Sequence, residues 1–347
     1  MIHTILSFLL LINWLVVPEP TGIKQVGKGM HPSVSTDPTG IAHIVYGHSE
    51  VLYYTTSGTG EQFEPSVRVD SLPGLHLGAS RGPQIAATNQ SVVITALDKA
   101  GNVWAYTLIR ATGQWQKRVR VNDIADIAKE GFVALVATPD NSYTAVWLDL
   151  RGDKQNKLVG SHSTDGGRTW SANKVLYQSP DGTICECCQV SAVSQGKHVA
   201  LMFRNFLNGS RDMYLLTSVD GGYTFGKAEK MGEGTWKLRA CPMDGGGLYM
   251  SPDGGIGTVW RRADKLYTAR PGQPEIELAT GKNAKIVTTR TGNYVVFQQA
   301  GELWVSTPNQ PQPTAIGPGA YAKLTRLAND RILCLWDQDG IVQAKII

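Results

Sequence analysis

The thiols of this chain are concentrated enough to do chemistry. Four of the five cysteines fall in two short segments, Cys185-Glu186-Cys187-Cys188 and Cys241-Pro242-Met243. In an oxidising compartment such thiols pair, and a bridge from Cys241 to one of the trio is the simplest outcome. A bridge between the adjacent Cys187 and Cys188 would be strained. The rival is a soft metal site. Thiolate and thioether sulfur suit Cu(I) or Zn²⁺, with His31, His48 or Met243 completing the shell. The C-x-C-C spacing is not the common C-x₂-C of zinc fingers, so the motif names no metal. The fifth cysteine, Cys334, lies inside the apolar run Ile332–Trp336 and reads as a core thiol.

Arginines form the second chemical signal. Arg204 follows Phe203 and Arg261 follows Trp260. A guanidinium fixed beside an aromatic strand end suits planar anions through paired hydrogen bonds. The stretch Arg204-Asn205…Arg211-Asp212 either orders a long loop or meets a ligand; exposed ion pairs contribute little stability by themselves.

These residues need a scaffold. The 347-residue chain has 38 glycines, 17 prolines and 42% apolar residues, which excludes a disordered tail protein and a coiled coil. Its Lys+Arg 33 against Asp+Glu 29 is too balanced for electrostatic nucleic-acid binding. Ile5 to Val17 is apolar except for Ser7 and Asn13, and Pro18-Glu19-Pro20 follows. That stretch is too short to span a bilayer comfortably and fits a secretory leader over residues 1–18, with an uncleaved anchor as the alternative. No later apolar stretch approaches that length. The expectation is an exported protein (periplasmic, cell-surface or secreted) with one domain over residues 19–347 and no membrane span after the leader.

One unit repeats through the domain: a strand of small residues, a turn, an apolar strand often ending in an aromatic, a polar loop and a third strand. The first strands centre on Val34, Ile85, Leu135, Val190, Leu248, Ile286 and Leu324, spaced 51, 50, 55, 58, 38 and 38 residues apart. Strand units at this spacing predict an all-β fold, a single β-propeller of seven blades. The last unit ends after its third strand, and Gly22–Gly27 is an orphan strand. Pairing the two closes the ring and hides both edges.

Within the units, Ser163-Thr164-Asp165-Gly166-Gly167-Arg168-Thr169-Trp170 fits S-x-D-x-G-x-T-W, and Ser218 to Phe225 repeats it 55 residues later. Ser57–Phe63 and Thr112–Trp115 look like eroded copies. The physical need is a tight turn: the carboxylate accepts backbone N–H groups, glycine supplies positive φ, and the aromatic plugs the gap between strands. Asp165 and Asp220 are therefore expected to be structural; each box offers one carboxylate, too few for Ca²⁺. The pattern resembles the Asp-box, or bacterial neuraminidase repeat, of the sialidase superfamily. That resemblance implies boxes between third and fourth strands, on the face away from the functional site. It also implies six blades, against the seven read from the repeat.

The opposite face is built from loops leading into each first strand and loops joining second to third strands. The first set carries His31, Arg81, Glu130, Cys185–Cys188, Cys241 and Tyr321; the second carries Asp98, Asp149, Arg204, Asn205, Arg211 and Arg261. Loops held on a rigid ring are the expected binding surface. The resemblance implies a clamp of three arginines for a substrate carboxylate, a Tyr nucleophile assisted by Glu, and an Asp acid/base. Arg81, Arg204 and Arg261 fill the first role here, Tyr321 with Glu130 the second, and Asp98 or Asp149 the third. Two functions are thus expected: a glycan or other anionic ligand bound at this face, with or without hydrolysis, or a non-catalytic propeller that docks a protein partner and carries the Cys-rich metal or disulfide site.

Overall fold

The computed structural model describes residues 22–347, which contain no helix. The leader expected over residues 1–18 lies outside the described residues. Seven antiparallel sheets form a seven-bladed propeller, so the repeat count prevails over the six blades implied by the resemblance. Blades 1, 3, 4, 5 and 6 are each four consecutive strands. Blade 2 splits its outer strand into Gln114–Trp115 and Val119–Arg120, both paired with Val103–Ile109. In blade 7 the strands Ala320–Arg326, Ile332–Gln338 and Ile341–Ile346 are completed by Lys24–Lys28, which runs antiparallel to the last of them. The ring therefore closes as expected. One centre was misplaced: the inner strand of blade 4 is Ser191–Gln195, and Val190 just precedes it.

The second strands were the most legible elements, for a physical reason. Tyr143–Asp149 is buried at every position, because neighbouring blades cover both faces of the sheet. Such a strand reads as a continuous apolar run rather than an alternating one. The core lies in the gaps between blades. Val93, Val103 and Ala105 of blade 2 pack with Leu135, Ala145 and Trp147 of blade 3. At the closure, Ala42, Ile44 and Tyr46 of blade 1 pack with Leu333, Leu335, Val342 and Ala344 of blade 7. Cys334 is fully buried in the adjoining cluster with Ala322 and Trp336.

Both complete S-x-D-x-G-x-T motifs form the same turn between third and fourth strands. Asp165 Oδ1 accepts from Thr169 N at 2.9 Å and Arg168 N at 3.1 Å, and Gly167 N donates to Ser163 Oγ at 2.9 Å. Asp220 Oδ1 accepts from Thr224 N at 3.0 Å and Tyr223 N at 3.1 Å, and Gly222 N donates to Ser218 Oγ at 2.9 Å. Hydrogen bonds from Thr224 hold the Asp220 carboxyl down at about 2. In the eroded copy, Gly60 N still donates to Ser57 Oγ at 2.8 Å. Ser163 pairs with Tyr143 and Ala137 pairs with Tyr143. The boxes therefore share a face with the ends of the inner strands, and the starts of those strands open on the other face.

Candidate functional site

The starts of three inner strands share a device. In blades 1, 6 and 7 the register shifts between Met30 and Ser33, Lys282 and Lys285, and Ala320 and Lys323. Inside each bulge one non-glycine residue is left-handed: His31 at φ 52°, Asn283 at 54° and Tyr321 at 55°. Bulges re-aim side chains, and left-handed non-glycine residues are strained and gather at functional sites. Two residues earlier stand Gly29, Gly281 and Gly319, each against the aromatic of its own second strand. A β-carbon on Gly319 would lie 2.2 Å from Trp336 Cδ1, and one on Gly281 2.7 Å from Phe297 Cδ2. This element went unread in the sequence. Its signal was present as Gly281-x-Asn283-Ala284-Lys285 and Gly319-x-Tyr321-Ala322-Lys323, 38 residues apart.

The bulges aim into a cavity at the mouth of the central channel. It is lined by His31, Arg81, Gln84, Gln189, Asn283, Lys285, Tyr321 and Lys323, with Gly245 at its edge. Below it a space of about 200 Å³ continues down the channel past Ser33, Gln84, Gln189, Lys285 and Lys323. The charge here is positive. Burial holds the Lys323 ammonium down at about 7, and Lys285 adds to the effect. Burial also lowers Lys285, against the pull of Asp244. Arg81 donates through Nε to the Glu130 carbonyl at 2.6 Å and through Nη1 to the Ala79 carbonyl at 3.2 Å, and it lies 4.3 Å over the Phe132 ring. Among the described residues none of these three cations is ion-paired.

Tyr321 and His31 flank the cations. Their ring centroids are 5.5 Å apart, and His31 N donates to Asp337 Oδ2 at 2.8 Å. Burial raises the Tyr321 phenol, Asp337 adds to the shift, and Arg81 opposes it. Glu130 does not hydrogen-bond Tyr321: its Oε1 accepts from Asn156 Nδ2 at 3.2 Å, and burial raises its carboxyl.

The other residues singled out from the sequence lie elsewhere or are already engaged. Arg204 is 2% exposed and donates to the carbonyls of Asp244, Arg211 and Arg261 at 3.2, 2.7 and 2.9 Å. It staples loops and has no free donor face, so the three arginines do not form one clamp. Arg261 lies over Trp236, as Arg204 does, with 5.5 and 5.2 Å to the ring centroid. Asn205 is fully buried, and its Nδ2 donates to Tyr177 Oη at 2.8 Å. Asp98 accepts from Asn102 N and Trp104 Nε1, each at 2.9 Å. Asp149 is fully buried between Trp147 Nε1 at 3.0 Å and Arg151, whose Nε and Nη2 donate at 2.9 and 2.8 Å. Neither carboxylate faces the mouth cavity.

The four clustered cysteines do meet, at the junction of blades 4 and 5. Cys187 and Cys241 are disulfide-bonded, while Cys185 and Cys188 are free thiols. Cys185 Sγ is 3.3 Å from Cys188 Sγ and 3.8 Å from Cys187 Sγ, and Arg211 Nη1 donates to it at 3.0 Å. Contact with Cys188, followed by Arg211 and Arg204, overcomes burial and brings the Cys185 thiol to about 7; burial drives Cys188 the other way. The three sulfurs of Cys185, Cys187 and Cys188 are close enough to hold one ion. Of the other residues expected in a metal shell, Met243 has a side chain that is 41% exposed, and His31 stands against Tyr321.

No family model and no curated protein matches the chain. Solved structures do share its fold. An ulvan lyase bound to -[GlcA(1-4)Rha3S]- superposes with a TM-score of 0.58 at 12% identity, covering 93% of this chain and 94% of that one. The Hadza microbial sialidase Hz136 gives 0.51 at 12% identity over 86% and 74% of the two chains. A protein of unknown function from Dyadobacter fermentans gives 0.51 at 15% identity over 94% and 99%. At such identities the likeness is one of fold.

Proposed function

We propose that this chain is an exported, sialidase-like propeller that binds an acidic glycan at the cationic mouth of its channel. The observation that carries the reading is the convergence of Arg81, Lys285 and Lys323 on one cavity, with no carboxylate partner for any of them. Buried cations left without a counter-ion are costly, and an incoming carboxylate or sulfate relieves that cost. Gln189 supplies an amide for sugar hydroxyls, the Gln84 and Asn283 amides offer their oxygens because their nitrogens donate within the protein, and Tyr321 supplies an aromatic face. The acidic glycan in the ulvan lyase structure fits the same class of ligand, and the Cys187–Cys241 disulfide fits an oxidising compartment.

Binding without hydrolysis is the favoured reading, because Tyr321 has His31, Asp337 and Arg81 around it and no hydrogen bond to Glu130. An array of acidic and neutral glycans tests the proposal. Acidic members should bind, more weakly as salt rises, and Lys323→Met should weaken them at least about tenfold. Calorimetry at pH 7.5 should show proton uptake on binding, since an anion raises the Lys323 ammonium from about 7. Equal capture of neutral glycans, or none of acidic ones, would overturn the reading. Turnover of a sialoside would replace it with the hydrolytic one.

A further inference from the structure

We propose that the cysteines at the junction of blades 4 and 5 form an internal thiol–disulfide exchange centre, in which the Cys187–Cys241 bridge and a Cys185–Cys188 bridge interconvert. The proposal does not depend on what the channel mouth binds.

The geometry supplies the parts of an exchange reaction. A nucleophilic sulfur must reach a disulfide sulfur, and Cys185 Sγ stands 3.8 Å from Cys187 Sγ. That nucleophile must be available as thiolate, and Arg211 Nη1 donates to Cys185 Sγ from 3.0 Å. A resolving thiol must lie beside it, and Cys188 Sγ is 3.3 Å away. Cys185 and Cys188 have the C-x-x-C spacing, hidden in the sequence by Cys187 between them. The leaving sulfur, Cys241, belongs to an exposed residue, whereas the other three residues are at most 5% exposed. A cation at this corner would face the Arg211 guanidinium.

The chemistry balances without an outside oxidant or reductant. The Cys185 thiolate attacks Cys187 sulfur; the Cys185–Cys187 bond forms as the Cys187–Cys241 bond breaks. The electron pair leaves on Cys241 sulfur, which takes from water the proton that Cys185 had released. Cys188 then gives its proton to water and attacks Cys185; the Cys185–Cys188 bond forms as the Cys185–Cys187 bond breaks, and Cys187 departs as thiolate and takes a proton back from water. One disulfide and two thiols are present before and after. The first arrangement ties the blade 4 loop to the blade 5 loop, and the second leaves them unlinked.

The test maps the label left by N-ethylmaleimide on the full-length protein, purified without reductant or chelator. In the wild type, label should accumulate on exposed Cys241 without denaturant. In Cys185→Ser that labelling should fall to background with the Cys187–Cys241 bridge intact. Should that variant fail to fold, Arg211→Gln provides the second measurement, and it should slow Cys241 labelling severalfold. Three results would overturn the proposal: a wild-type Cys241 that stays unlabelled, labelling of Cys241 that ignores both variants, or four free thiols at the cluster together with stoichiometric zinc or copper.

Discussion

The S-x-D-x-G-x-T turns and the channel mouth lie on opposite faces of the ring and are built on opposite principles. In a box, the groups that hold the turn lie within seven residues of one another: Asp220 serves Ser218, Tyr223 and Thr224. At the mouth, His31, Arg81, Gln189, Lys285 and Tyr321 come from five different blades. The box satisfies its own charge with backbone N–H groups, whereas the mouth leaves three cations without a carboxylate. A locally satisfied carboxylate belongs to the scaffold, and a set of cations without counter-ions from distant strands is what a ligand can use.

The sharpest way to break the comparison is at the support of the mouth. Gly319→Ala places a β-carbon against the Trp336 indole at 2.2 Å. Because the indole is held in the core, the cost should be about 3 kcal/mol or more, with loss of ligand binding at the bulge bearing Tyr321. Chemical denaturation checks the first effect and calorimetry the second. On the box side, Asp220→Ala should cost about 1–2 kcal/mol, since the lost acceptor is partly replaced by water, and should leave the mouth unchanged. The wild-type box contributes stability that is complete above about pH 4 and is lost as pH falls through about 2, because the folded carboxyl is held down there.

Lys323 gives a pH dependence of the same sign in a higher window. Its folded ammonium titrates at about 7, below the value in an unfolded chain. The unfolded state therefore holds more protons between about pH 7 and 10, and stability rises with pH across that window. The slope is at most about 1.4 kcal/mol per pH unit, and Lys323→Met should flatten it in denaturation curves run across that range. The smallest effect is expected at Met243. Its side chain is exposed, so Met243→Ala should change stability by about 0.5 kcal/mol or less and leave the labelling of Cys241 unaltered.

Legibility followed the same division. The second strands were legible because burial on both faces makes them continuous apolar runs. The boxes were read because their hydrogen bonds are local. Arg204 was misread as a clamp residue: a guanidinium after an aromatic strand end looks the same in sequence whether it faces a ligand or three carbonyls. Asp149 was similar, since the sequence does not show that Trp147 and Arg151 fold back on its carboxylate. Lys285 and Lys323 were missed because a lysine in a strand of small residues reads as a solvated one.

From its own residues the chain determined the blades, their number, the turns at one face and the pairing of the N-terminal strand with the last blade. All of these depend on contacts close in sequence or on burial patterns repeated in every unit. Only the tertiary structure decided which inner-strand positions meet in the channel, which arginine is free, and which two of four clustered thiols are bonded. Those outcomes depend on angles and distances between blades, where a bulge or a neighbouring carbonyl re-aims a side chain without changing the residue that carries it.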